Sequence, residues 1–570
     1  MKGMRAWLPL SLALLVSLPT LALPFMLDDW FHLSALDVWF GEGERLPVYF
    51  EGWEDPWGLP SCFRFFVGDN LAHIEAGLVP WWLDPDLRIV FLRPLSSLTH
   101  ALDHRIFGAE PFWHHVHSVL WYIAAVVVVG RLYRRVLPAL PAYVGALMFA
   151  VDEAHWYPTA WIANRNAIIA LVLALLGLIA HIRWQRDGWK PGLPLSVLGL
   201  ALGLAGGEAA LGVFALLFAF QVWGPARSKW GGLAPAVLLG LAWAGLYKGL
   251  SFGTHGSGLY IDPSADFGAY LLAALSRFPI LSGAQILGLP ADAAFVEPRV
   301  IPFLIAGGVV SLFGAWWAMR WLSDQEGCSE LKWLVPGGLL ALIPVMATFP
   351  IVRLLLVPGV GLFPLLAMVM VKLYRQKRHV LGALIGIPHL GLAPIGWFVL
   401  TGVSLYVDDE FARLKQEVGA YDGDDVVLLG IADPGVVVYL PMEAAYADIP
   451  GPRQWQALSL AATDHRVRWI DEHSFELEIV DGRIGDALFE QLFRNFDLAP
   501  LEVGYQVQSQ GLRIRVAETR DGGASRLAVE SERPLSELVF LTWEDDSFAE
   551  VEVVVGEGLL LPYTPGPLGI

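Results

Sequence analysis

Residues 1–404 are built from long apolar runs punctuated by short polar or basic stretches, and the remainder changes to short runs of β-branched residues between turn residues. A helix needs ~20 apolar residues to cross ~30 Å of hydrocarbon. The runs 6–26, 116–132, 159–182, 231–250, 300–319, 333–349, 353–373 and 380–403 meet or approach that length and predict membrane spans. The stretches 193–205 and 209–223 predict a tight helical hairpin, and 270–289 either dips in and returns or lies on the exoplasmic surface. The total is roughly 10–12 transmembrane helices. The first run has the basic flank and apolar core of a signal sequence but no small-x-small cleavage site directly after it, which predicts an uncleaved first helix.

After residue 404 the runs DDVVLLGI, GVVVYL, SFELEIV, LRIRVAE, LVFLTW and AEVEVVV predict strands. DALFEQLFRNF, from Asp486, has helical spacing and predicts the main helix of this part. The fold class is an α-helical polytopic membrane protein with a C-terminal exoplasmic α+β domain. Residues 1–404 form the membrane domain, with a large first exoplasmic loop at 27–111, and residues 405–570 the second domain. No internal repeat of solenoid period is present.

The positive-inside rule sets the orientation. Lys2 and Arg5 hold the N-terminus in the cytoplasm, and the clusters at Arg131, Arg134, Arg135, at Arg183, Arg186, Lys190, and at Arg227, Lys229 share one parity. Arg320 and Lys332, then Lys372, Arg375, Lys377 and Arg378, fall on the same side, and the last span delivers the tail outward. Pro358, Gly359 and Gly361 are expected to break or kink their span near mid-membrane.

Composition agrees with a bilayer as the main solvent: 55% of residues are hydrophobic, 16% are charged, and mean hydropathy is +0.52. Much of the net charge of -18 lies in the acidic tail, which excludes nucleic acid as a partner. Cys62 and Cys328 fall on opposite sides of the membrane, so no disulfide framework is available.

Candidate chemistry sits at the span ends. Asp28 and Asp29 follow the first helix and supply either a general base at the edge of a low-dielectric site or solvated acids marking the helix end. Arg93, before Pro94, can offer a guanidinium fork to a phosphate or anchor to headgroups. Arg165, about two turns inside an apolar helix beside Asn164 and Asn166, requires a polar cavity or an acidic partner. Glu208, at a hairpin tip, either caps the next helix or faces a cavity. Arg353 begins a late span and either binds an anionic headgroup or anchors there. His100, His104, His114, His115 and His117 lack the carboxylate or cysteine that would complete a metal ligand set, so no metal site is assigned.

Taken together, these motifs resemble the GT-C glycosyltransferases, especially bacterial relatives of the protein O-mannosyltransferases and of the TMTC-type enzymes. A family stretch like FxxHPxHxEAVxWIAGRxDLL is matched at Phe149, His155, Trp161, Ile162, Ala163 and Arg165, and one like RYLYLPSVGFxLLLA by RLLLVPGVGLFPLLA at 353–367. Asp152 and Glu153 stand where that pattern has its first histidine and proline, Tyr157 replaces a glutamate and Gly359 a serine. A tetratricopeptide tail of the TMTC type is replaced by the β-rich one.

The resemblance implies a membrane glycosyltransferase in the bacterial inner membrane. A polyprenyl-phosphate sugar would be the donor and an exoplasmic protein, lipid or glycan the acceptor, with no cofactor. Asp28 or Asp29 would be the catalytic base, and Arg353, with Arg165 or Arg93, would hold the donor phosphate. His117, Asp152, Glu153, His155 and Glu208 are candidates to line the cavity. Two other classes remain open on the residues alone: a transporter or flippase, and an inactive scaffold or receptor with an exoplasmic binding domain.

Overall fold

The computed structural model describes residues 7–41, 58 and 60–566. Lys2, Arg5 and residues 42–57 and 59 of the first loop lie outside the described residues. Among those described, eight helices are long and apolar enough to cross a membrane, from Pro111–Val136 to His379–Gly419. Four shorter apolar helices accompany them: Leu8–Ala22, Ala139–Val151, Gly192–Gly206 and Ala210–Trp223. The chain is a mostly helical integral membrane protein with a C-terminal α+β region.

Basic residues gather at one end of the bundle. Arg135 pairs with Asp187, Arg186 reaches Glu330 at 2.5 Å, and Lys372 reaches Asp324 at 2.6 Å. The helix Ala139–Val151, at 13 residues shorter than the runs expected to span, carries the chain from this end back to the other, a crossing the charge parity needs. The helix Phe267–Leu287 has spanning length, yet both its flanks attach at the opposite end. Ile261 N donates to Ala347 O at 2.8 Å, Tyr270 OH to Ile343 O at 2.6 Å, and Val352 N to Asp292 Oδ1 at 2.8 Å.

Close packing explains two further features. Gly199 and Gly203 lie against the helix Asn166–Asp187, where a Cβ on either would come within 2.7 Å of Gly177 or Ala174, so this small-residue ladder packs inside the chain. Pro358, Gly359 and Gly361 do not break their span, contrary to expectation: Leu356–Arg375 is continuous. Pro358 sits in its first turn, where no N–H has an intrahelical acceptor, and Gly361 meets the backbone of Leu334 and Gly338.

The C-terminal region holds a six-stranded antiparallel sheet and a four-stranded mixed sheet. In the first, Ser474–Ile479 lies between His465–Trp469 and Gly523–Ser531; in the second, Asp425–Leu428 pairs in parallel with both Val539–Glu544 and Gln454–Ala457. The last long helix, Ala393–Gly419, runs straight through position 404 into this region. Three expectations are corrected here. Of AEVEVVV only Ala549 and Glu550 lie in a strand, Ser547–Glu550, and the rest is irregular. GVVVYL is helical, because Asp433 accepts the N–H groups of Gly435 and Val436 and starts a π-helical turn that continues as the helix Leu440–Tyr446. The helix from DALFEQLFRNF is only Leu488–Phe493.

The first loop and the C-terminal region share one core. Trp81, Trp82, Leu83 and Leu87 are buried among Phe475, Leu477, Phe493 and Leu527. Trp81 Nε1 donates to Leu458 O at 2.9 Å, and Arg494 Nε to Trp82 O at 2.6 Å. A three-stranded sheet, Arg64–Val67, Arg88–Val90 and Gly253–His255, joins this core to the bundle.

Candidate active site

A cavity of about 910 Å³ opens where the bundle, the first loop and the C-terminal region meet. Its floor is apolar and formed by helix ends, with Leu211, Trp243, Leu356 and Val357; its roof includes Tyr439, Trp455 and Phe489. Asp28, Arg93, Glu208 and Arg353, four of the residues expected to carry chemistry, all line it.

The two adjacent carboxylates have different surroundings. Both begin the helix Asp28–Phe40, where the helix dipole favours negative charge, after Leu27 takes a left-handed φ of 50°. Asp29 is buried and spent on the backbone: its Oδ2 accepts from Met26 N at 3.0 Å and its Oδ1 from Ala163 N at 2.6 Å. Burial pushes it up to about 8, against the pull of those N–H groups. Among the described residues Asp28 accepts one bond, from Tyr439 OH to Oδ1 at 3.0 Å. Burial raises its pKa as well, with Tyr439, Arg353 and Arg93 pulling it down. Of the pair, Asp28 faces the cavity and Asp29 ties the helix to the segment before Arg165.

Arg93 is engaged on several sides. Its Nε donates to Glu208 Oε2 at 2.7 Å, and its guanidinium lies 4.3 Å from the ring of Phe91 and 4.8 Å from that of Phe63. Glu208 also accepts from Tyr247 OH at 3.1 Å, so it faces the cavity and caps no helix. Arg353 has no ion pair among the described residues: its Nε has no acceptor, and its guanidinium sits 5.0 Å from the ring of Trp161. Lys248 and Asp262, also in the wall, pair with each other.

The remaining candidates do not reach the cavity. Arg165 is not two turns inside a helix, since a 3-10 turn, Ile162–Arg165, precedes the helix Asn166–Asp187. It is fully buried on Asp103 Oδ2 at 2.6 Å and meets His100 Nδ1 at 2.9 Å, and it does not line the cavity. His117 holds the other oxygen of Asp103 at 2.6 Å. His155 Nδ1 bonds Phe149 O at 2.8 Å, and Asp152 accepts from Ala154 N at 3.2 Å. Glu153, beside Asp152, is raised to about 7 by burial and that neighbouring charge. Tyr439, Asp103 and Tyr247 escaped the sequence reading; only Asp103 had a signal, as an acid within the helical stretch that Pro94 starts and one turn from His100.

Among the described residues no three His, Cys, Asp or Glu side chains converge as a metal site. No family model matches the sequence, and no curated protein matches it. Among solved structures the chain is similar to the Archaeoglobus fulgidus oligosaccharyltransferase tethered to an acceptor peptide, at 12% identity and a TM-score of 0.40, over 79% of this chain and 66% of that one. It is likewise similar to the archaeal oligosaccharyltransferase AglB from Archaeoglobus fulgidus in complex with an inhibitory peptide and a dolichol-phosphate, at 12% identity and a TM-score of 0.41, over 80% and 65%. The chain spans just under two thirds of the length of each.

Proposed function

We propose that the protein is a membrane glycosyltransferase that moves a sugar from a polyprenyl-phosphate donor to an exoplasmic acceptor. One observation carries this reading: an apolar cavity floor at the helix ends leads to a wall holding Asp28, a carboxylate with one oxygen unbonded among the described residues, and Arg353, an arginine without an ion pair among them. An isoprenoid chain suits the floor, and a phosphate suits the arginine. The acceptor hydroxyl attacks the anomeric carbon as Asp28 takes its proton, the bond from that carbon to the phosphate oxygen breaks, and the polyprenyl phosphate departs with its added charge facing Arg353. Attack opposite the leaving group inverts the anomeric configuration.

The orientation belongs to the same reading. The end that gathers Arg135, Arg186 and Lys372 faces the cytoplasm, with the N-terminus, in a bacterial inner membrane. The cavity, the first loop and the C-terminal domain then face the exoplasm, where lipid-linked sugars meet protein, lipid or glycan acceptors.

The test compares purified wild type with Asp28→Asn on a radiolabelled polyprenyl-phosphate hexose. Turnover by wild type, with binding but no turnover by the variant, supports the proposal. Absence of donor binding by both, or equal turnover by both, overturns it.

A further inference from the structure

The helix bearing Asp28 is laced to a segment more than four hundred residues later. Tyr439 OH donates to Asp28 Oδ1 at 3.0 Å, Trp30 Nε1 to Glu443 Oε1 at 3.2 Å, and Tyr446 OH to Asp37 Oδ2 at 2.6 Å. Ser34 Oγ also lies 3.1 Å from Tyr446 OH. Tyr439, Glu443 and Tyr446 recur at helical spacing, so one face of the segment follows the Asp28 helix along its length. Lys415, from the last long helix, reaches Glu443 at 3.4 Å and ties the segment to the bundle.

We infer that Tyr439 is a positioning residue: by holding Oδ1 of Asp28 it aims Oδ2 of the same carboxylate into the cavity, so the C-terminal region completes the active site. This rests on the reading of Asp28 as the base. A terminal carboxylate torsion is broad and roughly two-fold when nothing holds it, and a phenol with one proton to give fixes one oxygen only. Tyr439 is itself buried and seated edge-on to Phe31, with ring centroids 5.9 Å apart, so its hydroxyl has little freedom to leave. In the transfer step the acceptor's proton passes to Oδ2 and Tyr439 keeps its own.

Three other groups bear on Asp28: Asp29 beside it, Arg353 from the turn Val352–Leu355, and Arg93 before the helix Pro94–Phe107. None of them donates to Oδ1, so removal of the phenol has its own signature. Tyr439→Phe keeps the ring and deletes that donor. It is expected to lower kcat about tenfold or more with the KM for donor unchanged, the scale of a lost hydrogen bond to a charged group, and to move the acid limb of the pH–rate profile upward. Infrared titration reads the same bond without turnover: the carboxyl band that vanishes in Asp28→Asn should titrate at higher pH in Tyr439→Phe. Tyr446→Phe removes two bonds of the lacing without touching Asp28, and should leave rate, profile and band as in wild type.

The inference is overturned if Tyr439→Phe leaves kcat, limb and band unmoved, or if Tyr446→Phe reproduces its effects. If wild type turns over no lipid-linked sugar, the transferase reading fails, and the band titration still decides whether Tyr439 governs Asp28.

Discussion

Arg165 and Asp103 meet at 2.6 Å, with side-chain exposures of 0% and 3%. Each is part of a larger polar cluster: His117 occupies the second oxygen of Asp103, while His100 and the carbonyl of His114 receive the guanidinium. The cluster joins the helix Pro94–Phe107, the helix Pro111–Val136 and the turn before Asn166 beneath the cavity.

Breaking that pair is expected to unfold the site before it changes chemistry. Removing one partner leaves an uncompensated buried charge, at a cost of ~3–5 kcal/mol. Arg165→Ala and Asp103→Ala should each lower the melting temperature in detergent sharply, and an Asp103→Leu, Arg165→Met double variant should recover part of the loss. Equal melting of wild type and both single variants would remove the structural role.

The acidic pair should separate in function. Asp28→Asn is expected to keep the fold and lose ~10²–10⁴-fold in turnover, the range for a positioned general base. Asp29→Ala should instead lower stability, because the backbone N–H groups of Met26 and Ala163 lose their acceptor inside the protein. Melting curves and donor turnover measured on both variants distinguish the roles; the reverse pattern would assign the base to Asp29.

Much of the helical architecture was legible because spanning segments announce themselves by length, and the basic residues that mark one end pair with acidic residues there. The division of labour between Asp28 and Asp29 was not legible, since it depends on Ala163, which lies far along the chain and contributes only an N–H. Tyr439 was hidden for a different reason: a β-branched run reads as a strand, and the Asp433 bonds that make it helical are a local tertiary choice. Arg165 advertised its need for a partner, whereas the choice of an acid over a cavity came from the fold of the first loop.

Two pH effects of opposite sense are expected. Asp28 acts ionised, and burial holds its pKa above the ordinary carboxylate range, so kcat/KM should fall as pH drops through that raised value. Asp29, at about 8 in the folded chain against ~3.9 in an unfolded one, binds its proton more tightly when folded. Its contribution therefore makes stability decline as pH rises from about 4 to about 8. Asp29→Asn should flatten that part of a melting-temperature profile relative to wild type; an unchanged slope would deny the raised value.

The shared core makes the first loop and the C-terminal region one cooperative unit. Trp81→Ala removes a fully buried ring and the donor to Leu458, and large aromatic truncations in cores cost ~3–5 kcal/mol. Limited proteolysis should then cut both the first loop and the C-terminal region faster, with the membrane helices still protected. Cleavage confined to one of the two would show that they are stable separately.

Arg353 is the cation whose removal should cost binding and spare the fold. It has no ion pair among the described residues to lose, and its guanidinium rests on Trp161 at the cavity wall. A hydrogen bond to a charged group is worth ~1.5–3 kcal/mol, so Arg353→Ala should weaken binding of a polyprenyl-phosphate hexose about 10- to 100-fold. Arg353→Lys should recover part of it, since the charge remains while the fork is lost. Arg93→Ala makes the contrast: it strands Glu208, which would otherwise sit at 2.7 Å from Arg93, so melting temperature and affinity should fall together. Fluorescence titration of donor beside thermal melts reads both quantities, and unchanged affinity in Arg353→Ala would place the phosphate on another residue.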